Sequence, residues 1–421
     1  AVRKDSLAED IMAENIDLDN DGDWDLVVVS GGNEFQDKNE PLKIRAYIND
    51  GKSNFKRNDD ILPEIYLTAG CISKADFDQD GFQDLFIGGS VVPWAYGVSP
   101  ESYLLRNQGD GTFEDYTSSV DDLSRVGMIK TAIWSDLDGN QYPELIVAGE
   151  WMPLTIFQNE KGQLKKQESP EIHNLKGWWQ SLAVADVDND GDQDIIAGNL
   201  GLNSKLKASQ DQPVTLYYDD FDANQVKEQL VVYYQQGKPT LFASKDELVK
   251  QMPSLKNKFL KYTDYAAADL YDIFPKEKFD DALKLQVTEF QSGIFYNQNG
   301  IFEFLPLPVE AQFSPVYALQ VLDFDQDGDI DIMGAGNFYD INIQFGRYDG
   351  GFGFLLQNDG MGNYTWIDNG RSGLNLDNEV RDIVSVNTMN GLVWIVAKND
   401  DNLQVIKNNT AESGLIVEKL N

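Results

Sequence analysis

The chain has 421 residues, of which 42% are hydrophobic and 25% are charged. Its 70 acidic residues outnumber its 34 lysines and arginines, and the resulting formal net charge of −36 argues against a nucleic-acid partner. A single histidine and a single cysteine argue against histidine-based catalysis, histidine-rich zinc sites and a disulfide within the chain. No apolar run reaches the roughly 18–20 residues of a membrane span, so no transmembrane segment is predicted.

A nine-residue pattern with aspartate at positions 1, 3, 5 and 9 and glycine at position 6 first appears at residues 17–25. The full pattern recurs at residues 76–84, 186–194 and 323–331. Four copies of so specific a pattern are far more than chance provides, and they indicate a repeat architecture. We call these segments, together with the two weaker copies described next, the aspartate loops.

Two weaker copies, at residues 136–144 and 220–228, keep oxygen-bearing side chains at positions 1, 3, 5 and 9. Both carry glutamine at position 6, where glycine favours a tight bend, so the turn is expected to be less favoured there. A seventh repeat unit near Asn387 has the strand–turn–strand pattern without the acidic residues.

Short apolar runs flank each aspartate loop, as residues 181–185 and 195–197 flank the loop at 186–194. An aromatic-rich segment with an Asn/Gly turn then follows in most units, for example at residues 103–109 and 355–360. These patterns are typical of antiparallel hairpins. Four strands in each unit of about 60 residues, repeated seven times, predict an all-β fold, a seven-bladed β-propeller that spans residues 1–421 as a single domain.

One stretch interrupts this β pattern, at residues 244–285. It begins with a capping-box pattern at Ser244 and Glu247, followed by apolar residues at helical spacing. Pro253 lies within that spacing and predicts two short helices rather than one long helix, with a third helical patch near 276–285. We therefore expect a short α-helical insertion in blade five, whose lysine-rich face is a candidate recognition surface.

The aspartate loops predict calcium sites. Side chains at positions 1, 3, 5 and 9 and the carbonyl at position 7 supply hard oxygen ligands, which suit Ca²⁺ better than Zn²⁺ or copper. An EF-hand is excluded, because it needs glutamate at position 12, where this chain has Val28, Ile87, Ala197 or Gly334. Structural Ca²⁺ is expected in the four full loops and in up to six loops altogether. The predicted ligands are Asp17, Asp19, Asp21, Asp23, Asp25, Asp76, Asp78, Asp80, Phe82, Asp84, Asp136, Asp138, Asn140, Tyr142, Glu144, Asp186, Asp188, Asp190, Asp192, Asp194, Asp220, Asp222, Asn224, Val226, Glu228, Asp323, Asp325, Asp327, Asp329 and Asp331.

The loops and the hairpin at residues 107–113 resemble FG-GAP/VCBS repeats, the calcium-loop blades of integrin α-subunits. Residues 177–186, 198–203 and 242–253 are similar to a bacterial branch of large surface proteins, frequent in Bacteroidetes and related to the ASPIC/UnbV group that resembles cartilage acidic protein. This resemblance implies a seven-bladed propeller, export from the cytoplasm and a binding role, and it names no ligand.

Two classes of function follow. The first is a non-enzymatic, calcium-binding interaction module that binds a protein or a glycan at a bacterial cell envelope. The second is a carbohydrate-active enzyme, a polysaccharide lyase or hydrolase that uses the propeller pocket. The sequence contains no nucleophile elbow, P-loop or HExxH motif, so the first class is favoured and no catalytic residue is assigned. Calcium sites of the weak extracellular type need millimolar Ca²⁺, which predicts a periplasmic or cell-surface location.

Overall fold

The computed structural model describes residue 5 and residues 7–341, 346–389, 391–409 and 414–419. Strands dominate this part of the chain, and they pair in antiparallel sheets. The prediction of an all-β fold with few helices is therefore confirmed. None of the described helices combines the length and the apolar character needed to cross a bilayer.

Three sheets follow one another in the first half of the chain. Sheet one contains β1 (Asp10–Ile16), β2 (Asp25–Ser30), β3 (Arg45–Asn49) and β4 (Phe55–Arg57). Sheet two contains β5 (Thr68–Ala75), β6 (Asp84–Val91), β7 (Tyr103–Asn107) and β8 (Phe113–Asp115). Sheet three contains β9 (Met128–Ser135), β10 (Glu144–Pro153), β11 (Thr155–Asn159), β12 (Leu164–Lys166) and β13 (Lys176–Trp178).

The second half contains four more sheets. Sheet four contains β14 (Ser181–Ala185), β15 (Asp194–Gly198), β20 (Gly293–Gln298) and β21 (Ile301–Pro306). The inserted sheet contains β16 (Val214–Asp219), β17 (Glu228–Gln235), β18 (Lys238–Leu241) and β19 (Leu283–Val287). Sheet five contains β22 (Val316–Leu322), β23 (Asp331–Gly336), β24 (Phe354–Asn358) and β25 (Tyr364–Trp366). Sheet six contains β26 (Val380–Thr388), β27 (Gly391–Lys398), β28 (Gln404–Asn409) and β29 (Gly414–Lys419).

The inserted sheet interrupts sheet four. β15 pairs directly with β20, with Ile195 opposite Phe295 and Ala197 opposite Gly293. The chain between these two strands therefore leaves sheet four and returns to the same place after forming β16 to β19. The unit that contains the loop at 220–228, expected as the fifth blade of the ring, is inserted into the fourth sheet instead. The insertion is thus larger than the predicted helical segment and includes a whole sheet.

The helices are short. The α-helices are α1 (Pro170–His173), α2 (Lys245–Gln251), α3 (Tyr262–Ala267), α4 (Leu270–Ile273) and α5 (Asn369–Ser372). The capping box predicted at Ser244 is present, since its side chain accepts from the Glu247 amide and the Glu247 carboxylate accepts from the Ser244 amide. Pro253 begins a separate 3-10 helix, as expected from the break that it introduces. The third patch was predicted too long: one 3-10 turn, Lys276–Phe279, is followed by β19.

Hydrophobic clusters join consecutive sheets. On β6, Leu85 and Ile87 pack against sheet one, whereas Phe86 between them packs against sheet three. This alternation follows from the two-residue period of a strand, and it explains why the second strands of sheets one to five continue with apolar residues on both faces after the acid at position 9. Equivalent clusters join sheet three to four, four to five and five to six. Among the described residues, no such cluster joins sheet six to sheet one.

The inserted sheet has two covered faces. One face packs against the helices of residues 245–279, where Leu248, Met252 and Phe259 are buried. The other face packs against sheet three, where Leu216 and Trp151 belong to one buried hydrophobic cluster. The tryptophan pair at 178 and 179 lies near this contact: Trp179 is fully buried, and Trp178 is half-buried against Trp151 and Phe290. The two neighbouring indoles therefore point to opposite sides of the strand, as expected, but both of them pack against other aromatic residues of the protein.

Candidate metal centres

Every aspartate loop adopts the same backbone conformation. In the first loop, Asn20 at position 4 has a φ of 62° and Gly22 at position 6 has a φ of 91°. The two loops without glycine at position 6 keep this left-handed conformation, with φ values of 76° at Gln141 and 72° at Gln225. A residue with a Cβ atom is strained in this region by about 1–2 kcal/mol. The weaker loops therefore fold as the full ones do, at an energetic cost.

The carboxylate at position 1 organises each turn. Asp17 accepts hydrogen bonds from the amides of Asp21 (3.1 Å) and Gly22 (3.0 Å). Asp21 at position 5 accepts from the amide of Asp23 at 2.9 Å, which closes the second half of the turn. Corresponding bonds to position 1 occur in the other five loops. The acidic residues thus fix the backbone that presents them.

The carboxylate at position 9 begins the second strand of sheets one to five and of the inserted sheet, and it is at most 4% exposed. In the second loop, Asp84 accepts from the amide of Phe77 at 3.2 Å and from the amide of Asn107, on the third strand, at 2.8 Å. Burial disfavours the charged form of such a group. It raises the pKa of the position-9 carboxyl to about 7 at Asp84 and Glu144, and to about 6 at Asp194 and Asp331.

Positions 1, 3 and 9 converge in space. In five of the groups that the described residues form, one carboxylate oxygen from each position lies within 4.8 Å of the other two. These groups are Asp17, Asp19 and Asp25; Asp76, Asp78 and Asp84; Asp136, Asp138 and Glu144; Asp186, Asp188 and Asp194; and Asp220, Asp222 and Glu228. The loop at 323–331 has the same turn, because Phe324 donates to Asp331 at 2.8 Å and Gly328 donates to Asp323 at 3.2 Å.

These donors fit a calcium ion. Three convergent carboxylates, one of them buried at a raised pKa, need a cation to offset their mutual repulsion, and hard oxygen ligands suit Ca²⁺. In the four full loops, the aspartate at position 5 supplies one oxygen to the turn and has a second oxygen for a metal. In the two weaker loops, Asn140 and Asn224 have a single side-chain oxygen, which accepts from the amide at position 7. The carbonyls at position 7 stay predicted ligands.

Two loops differ in their surroundings. In the loop at 76–84, the Arg106 guanidinium contacts Asp78 at 2.6 Å and Asp80 at 3.3 Å, so part of its negative charge is already neutralised. In the loop at 220–228, one oxygen of Asp222 is buried without a hydrogen-bond partner in the described part of the chain. Glu228 of that loop has the expected bond from Phe221 at 2.9 Å.

Sequence reasoning missed an asparagine that joins neighbouring sheets. The Asn159 side chain, on the third strand of sheet three, donates to the Phe77 carbonyl at 2.8 Å, in the loop of sheet two. Equivalent bonds to position 2 of the preceding loop run from Asn297 to Leu137 (3.0 Å), from Asn358 to Val187 (2.7 Å) and from Asn408 to Phe324 (2.7 Å). Two of these four asparagines, Asn297 and Asn358, lie in the Asn/Gly turns that the sequence predicts, and those turns were the available signal. The bond from Asn358 of sheet five is made to the loop at 186–194 of sheet four, and not to the loop at 220–228 of the inserted sheet.

The loops also contact one another. Gln79, at position 4 of the second loop, donates to the carbonyl of Gln141 in the third loop at 2.6 Å. Asn189 of the fourth loop donates to the Asp329 carboxylate of the loop at 323–331 at 3.2 Å. Neighbouring aspartate loops therefore lie side by side, and a shift in the backbone of one loop can alter the next through these hydrogen bonds.

A family model described as the FG-GAP-like repeat matches residues 17–87 and 136–197. The chain contains FG-GAP-like repeats. The two matched regions hold the first four aspartate loops, including the loop at 136–144 that lacks the glycine. No curated protein matches the sequence.

Solved structures with similarity include two crystal structures of BBS1N in complex with ARL6DN, soaked with mercury or with lead. They are 10% and 11% identical, cover 97% of this chain and 91% of the other chain, and each has a TM-score of 0.34.

Proposed function

We propose that this protein is a calcium-stabilised β-propeller that acts as a non-enzymatic interaction module. The observation that carries the calcium assignment is the convergence of three carboxylates in at least five equivalent loops. Each ion would lie between the first two strands of a sheet, held by positions 1, 3, 5, 7 and 9. The bound ion supplies charge neutralisation, and the loop residues supply the fixed turn that positions the sheets.

We propose further that sheets one to six are consecutive blades. The supporting observations are the clusters between consecutive sheets and the asparagine bonds that follow the same order. The seventh sheet, which the sequence assigned to the ring as blade five, lies outside this order. The seven-bladed prediction is therefore changed to six successive blades and one inserted sheet.

Two observations support a binding role. The chain contains FG-GAP-like repeats, and its clustered carboxylates lie in the aspartate loops, where they are proposed to bind calcium rather than to catalyse a reaction. The partner class is a protein or a glycan of a bacterial cell envelope, and the location is outside the cytoplasm, at the surface or in the periplasm. Millimolar Ca²⁺ in that location would fill sites of the weak extracellular type. Fractionation of the native cell tests the location: the full protein in a cytosolic fraction would contradict it.

The calcium role is tested by thermal unfolding and by ion counting. Each filled site stabilises the native state by about 2.7 kcal/mol at 100 times its Kd, so excess EGTA should lower the Tm and restored Ca²⁺ should recover it. Asp188→Asn should remove one bound ion, whereas Asp211→Asn, at an exposed acid outside the loops, should remove none. An unchanged Tm in EGTA together with no protein-bound calcium would exclude the calcium role.

A further inference from the structure

The turn between β24 and β25 lies between two aspartate loops. This turn, residues 359–363, belongs to sheet five and contacts both the fourth loop and the loop at 323–331. The Asn189 side-chain nitrogen, at position 4 of the fourth loop, donates to the Gly360 carbonyl of the turn at 3.2 Å. The same nitrogen donates to the Asp329 carboxylate at 3.2 Å. One turn therefore connects two candidate metal centres.

The contact of this turn with the fourth loop leaves little room for movement. A Cβ atom added to Gly362 would lie 3.3 Å from the Asp188 Cβ atom, at position 3 of the fourth loop, and 2.9 Å from the Tyr296 ring. The Gly362 carbonyl accepts from the Tyr296 hydroxyl at 2.6 Å, which holds the turn against sheet four. Since closely packed groups transmit displacement, a change in the position of Asp188 is passed to the turn.

The contact with the loop at 323–331 is equally close. A Cβ atom added to Gly360 would lie 2.7 Å from the Asp329 carboxylate. Asp329 is position 7 of its loop, where the backbone carbonyl is a predicted ligand, and its amide donates to Asp327 at 2.9 Å. The turn thus rests on position 3 of one loop and on position 7 of the next, and both are ligand positions.

A second pair of neighbouring loops has corresponding contacts. A Cβ atom added to Gly162, in the turn after β11, would lie 2.7 Å from the Asp78 Cβ atom at position 3 of the second loop. Gln79, at position 4, donates to the Gln141 carbonyl of the third loop at 2.6 Å. The loop at 220–228 differs, because it makes no hydrogen bond to another aspartate loop within the described ranges of the chain.

Two effects of opposite sign act between neighbouring sites. A cation in one loop reduces the negative potential at the next loop and so weakens the second binding event, but salt screens this effect over about 8 Å at 0.15 M. Fixing the carboxylate at position 3 also fixes the turn, and with it position 7 of the next loop. Less conformational entropy is then lost when the second site fills. The close contacts of the turn favour this second effect.

We propose that the calcium sites of the fourth loop and of the loop at 323–331 are positively coupled through the β24–β25 turn, so that filling either site tightens binding at the other. The inference rests on the proposed calcium role and extends it by stating which sites fill together. We expect a coupling factor of about fivefold, the same in both directions because coupling between binding sites is reciprocal. The site at 220–228 should fill independently.

The test is a calcium titration of the full chain followed by NMR with isotope-labelled glycine. Each full loop carries a glycine at position 6 whose amide donates to position 1, so Gly191 and Gly328 each report on one loop. Asp188→Asn should weaken the calcium binding that Gly328 reports by about fivefold, and Asp325→Asn should weaken the binding that Gly191 reports by the same factor. Asp222→Asn, the matched change in the inserted sheet, should alter neither.

A variant at position 4 tests the route of the coupling. Asn189→Gly removes the hydrogen bonds to Asp329 and to the turn, and glycine suits the φ of 61° at this position. Position 4 is not a predicted ligand, so both sites should still fill. When Asn189→Gly is already present, adding Asp188→Asn should change the binding that Gly328 reports by less than about twofold.

Three results would overturn the coupling. Asp188→Asn leaves the binding at Gly328 unchanged or tightens it, Asp222→Asn weakens that binding equally, or the full effect of Asp188→Asn persists when Asn189→Gly is present. If the sites of the unmodified chain still bind calcium, any of these results leaves the proposed function standing. Absence of bound calcium in the unmodified chain removes the proposed function and the coupling together.

Discussion

The side-chain amide of Asn159 donates to the backbone carbonyl of Phe77 at 2.8 Å and so connects sheet three to the aspartate loop of sheet two. The same nitrogen donates to the Pro143 carbonyl at 2.9 Å, and its oxygen accepts from the Gly162 amide at 2.8 Å. One asparagine therefore satisfies three backbone groups, one of them on the neighbouring sheet.

Removing this side chain should destabilise the interface between sheets. Asn159→Ala leaves buried backbone groups without partners, and we expect the free energy of unfolding to fall by about 2–3 kcal/mol. Urea denaturation with calcium present measures this. Asn54→Ala is the control, since Asn54 bonds only within an exposed hairpin and should change stability by less than about 0.5 kcal/mol. Equal losses of stability in the two variants would contradict the role of Asn159 in joining sheets two and three.

Relieving the strain at position 6 should stabilise the third loop. Gln141→Gly removes the Cβ atom at a φ of 76°, and we expect a gain of about 0.5–1 kcal/mol after the added entropy of glycine in the unfolded chain. Gln83→Gly, at position 8 of the loop at 76–84, where φ is not positive, should instead cause a small loss. The two denaturation midpoints should move in opposite directions, and a loss in both would show that the turn is not strained.

Arg106 should compete with calcium at the second loop. It contacts Asp78 at 2.6 Å, so its removal frees a ligand oxygen. We expect Arg106→Gln to tighten calcium binding at this loop about fivefold, which corresponds to about 1 kcal/mol, as measured by calorimetric titration. Arg125→Gln removes an exposed pair with Glu101 outside the loops and should have no effect. Weaker binding in Arg106→Gln would mean that the arginine supports the site.

The helices of residues 245–279 should be held by their buried face. Leu248 is 1% exposed, and Leu248→Ala should cost about 2–4 kcal/mol of local stability. Leu260→Ala, at a leucine that is 80% exposed in the same segment, should cost less than about 0.5 kcal/mol. Hydrogen exchange should show faster opening of β16–β19 in Leu248→Ala and unchanged protection in sheet one. Faster exchange in sheet one would contradict an independent insertion.

The loop at 220–228 lies in the inserted sheet, so its metal should act locally. Asp222→Asn should remove at most one calcium ion and loosen β16 and β17 without changing exchange in β6. The measurement is ion counting combined with hydrogen exchange. A general loss of protection would instead place this loop among those that join the blades.

The aspartate loops were predictable because they are local. Position 1 bonds to amides four and five residues later, and position 9 bonds to position 2, so nine consecutive residues specify the turn. The capping box at Ser244 is local in the same sense and was predicted correctly. The left-handed conformation of Gln141 was not expected from its residue type, but its amide donates to Asp136 at 2.9 Å, the same bond that the position-6 glycine makes in the full loops.

The position of the inserted sheet was not predictable from repeat spacing. Spacing counts units along the chain, whereas the pairing of Ile195 with Phe295 is set by sheet contacts between distant segments.

The pairing of β15 with β20 has a consequence for folding, because sheet four can be completed only after the insertion between these two strands has been synthesised. β14 and β15 are neighbours in sequence and can pair as a local hairpin, but their sheet is incomplete until β20 joins it, and every residue of the insertion is synthesised before β20. The insertion has its own apolar cluster and mostly local contacts, so it can fold during that interval and bring Gly198 and Gly293 close together. Slow or failed folding of the insertion would then expose the open edge of β15 to other chains, and aggregation of newly made protein would begin at that edge.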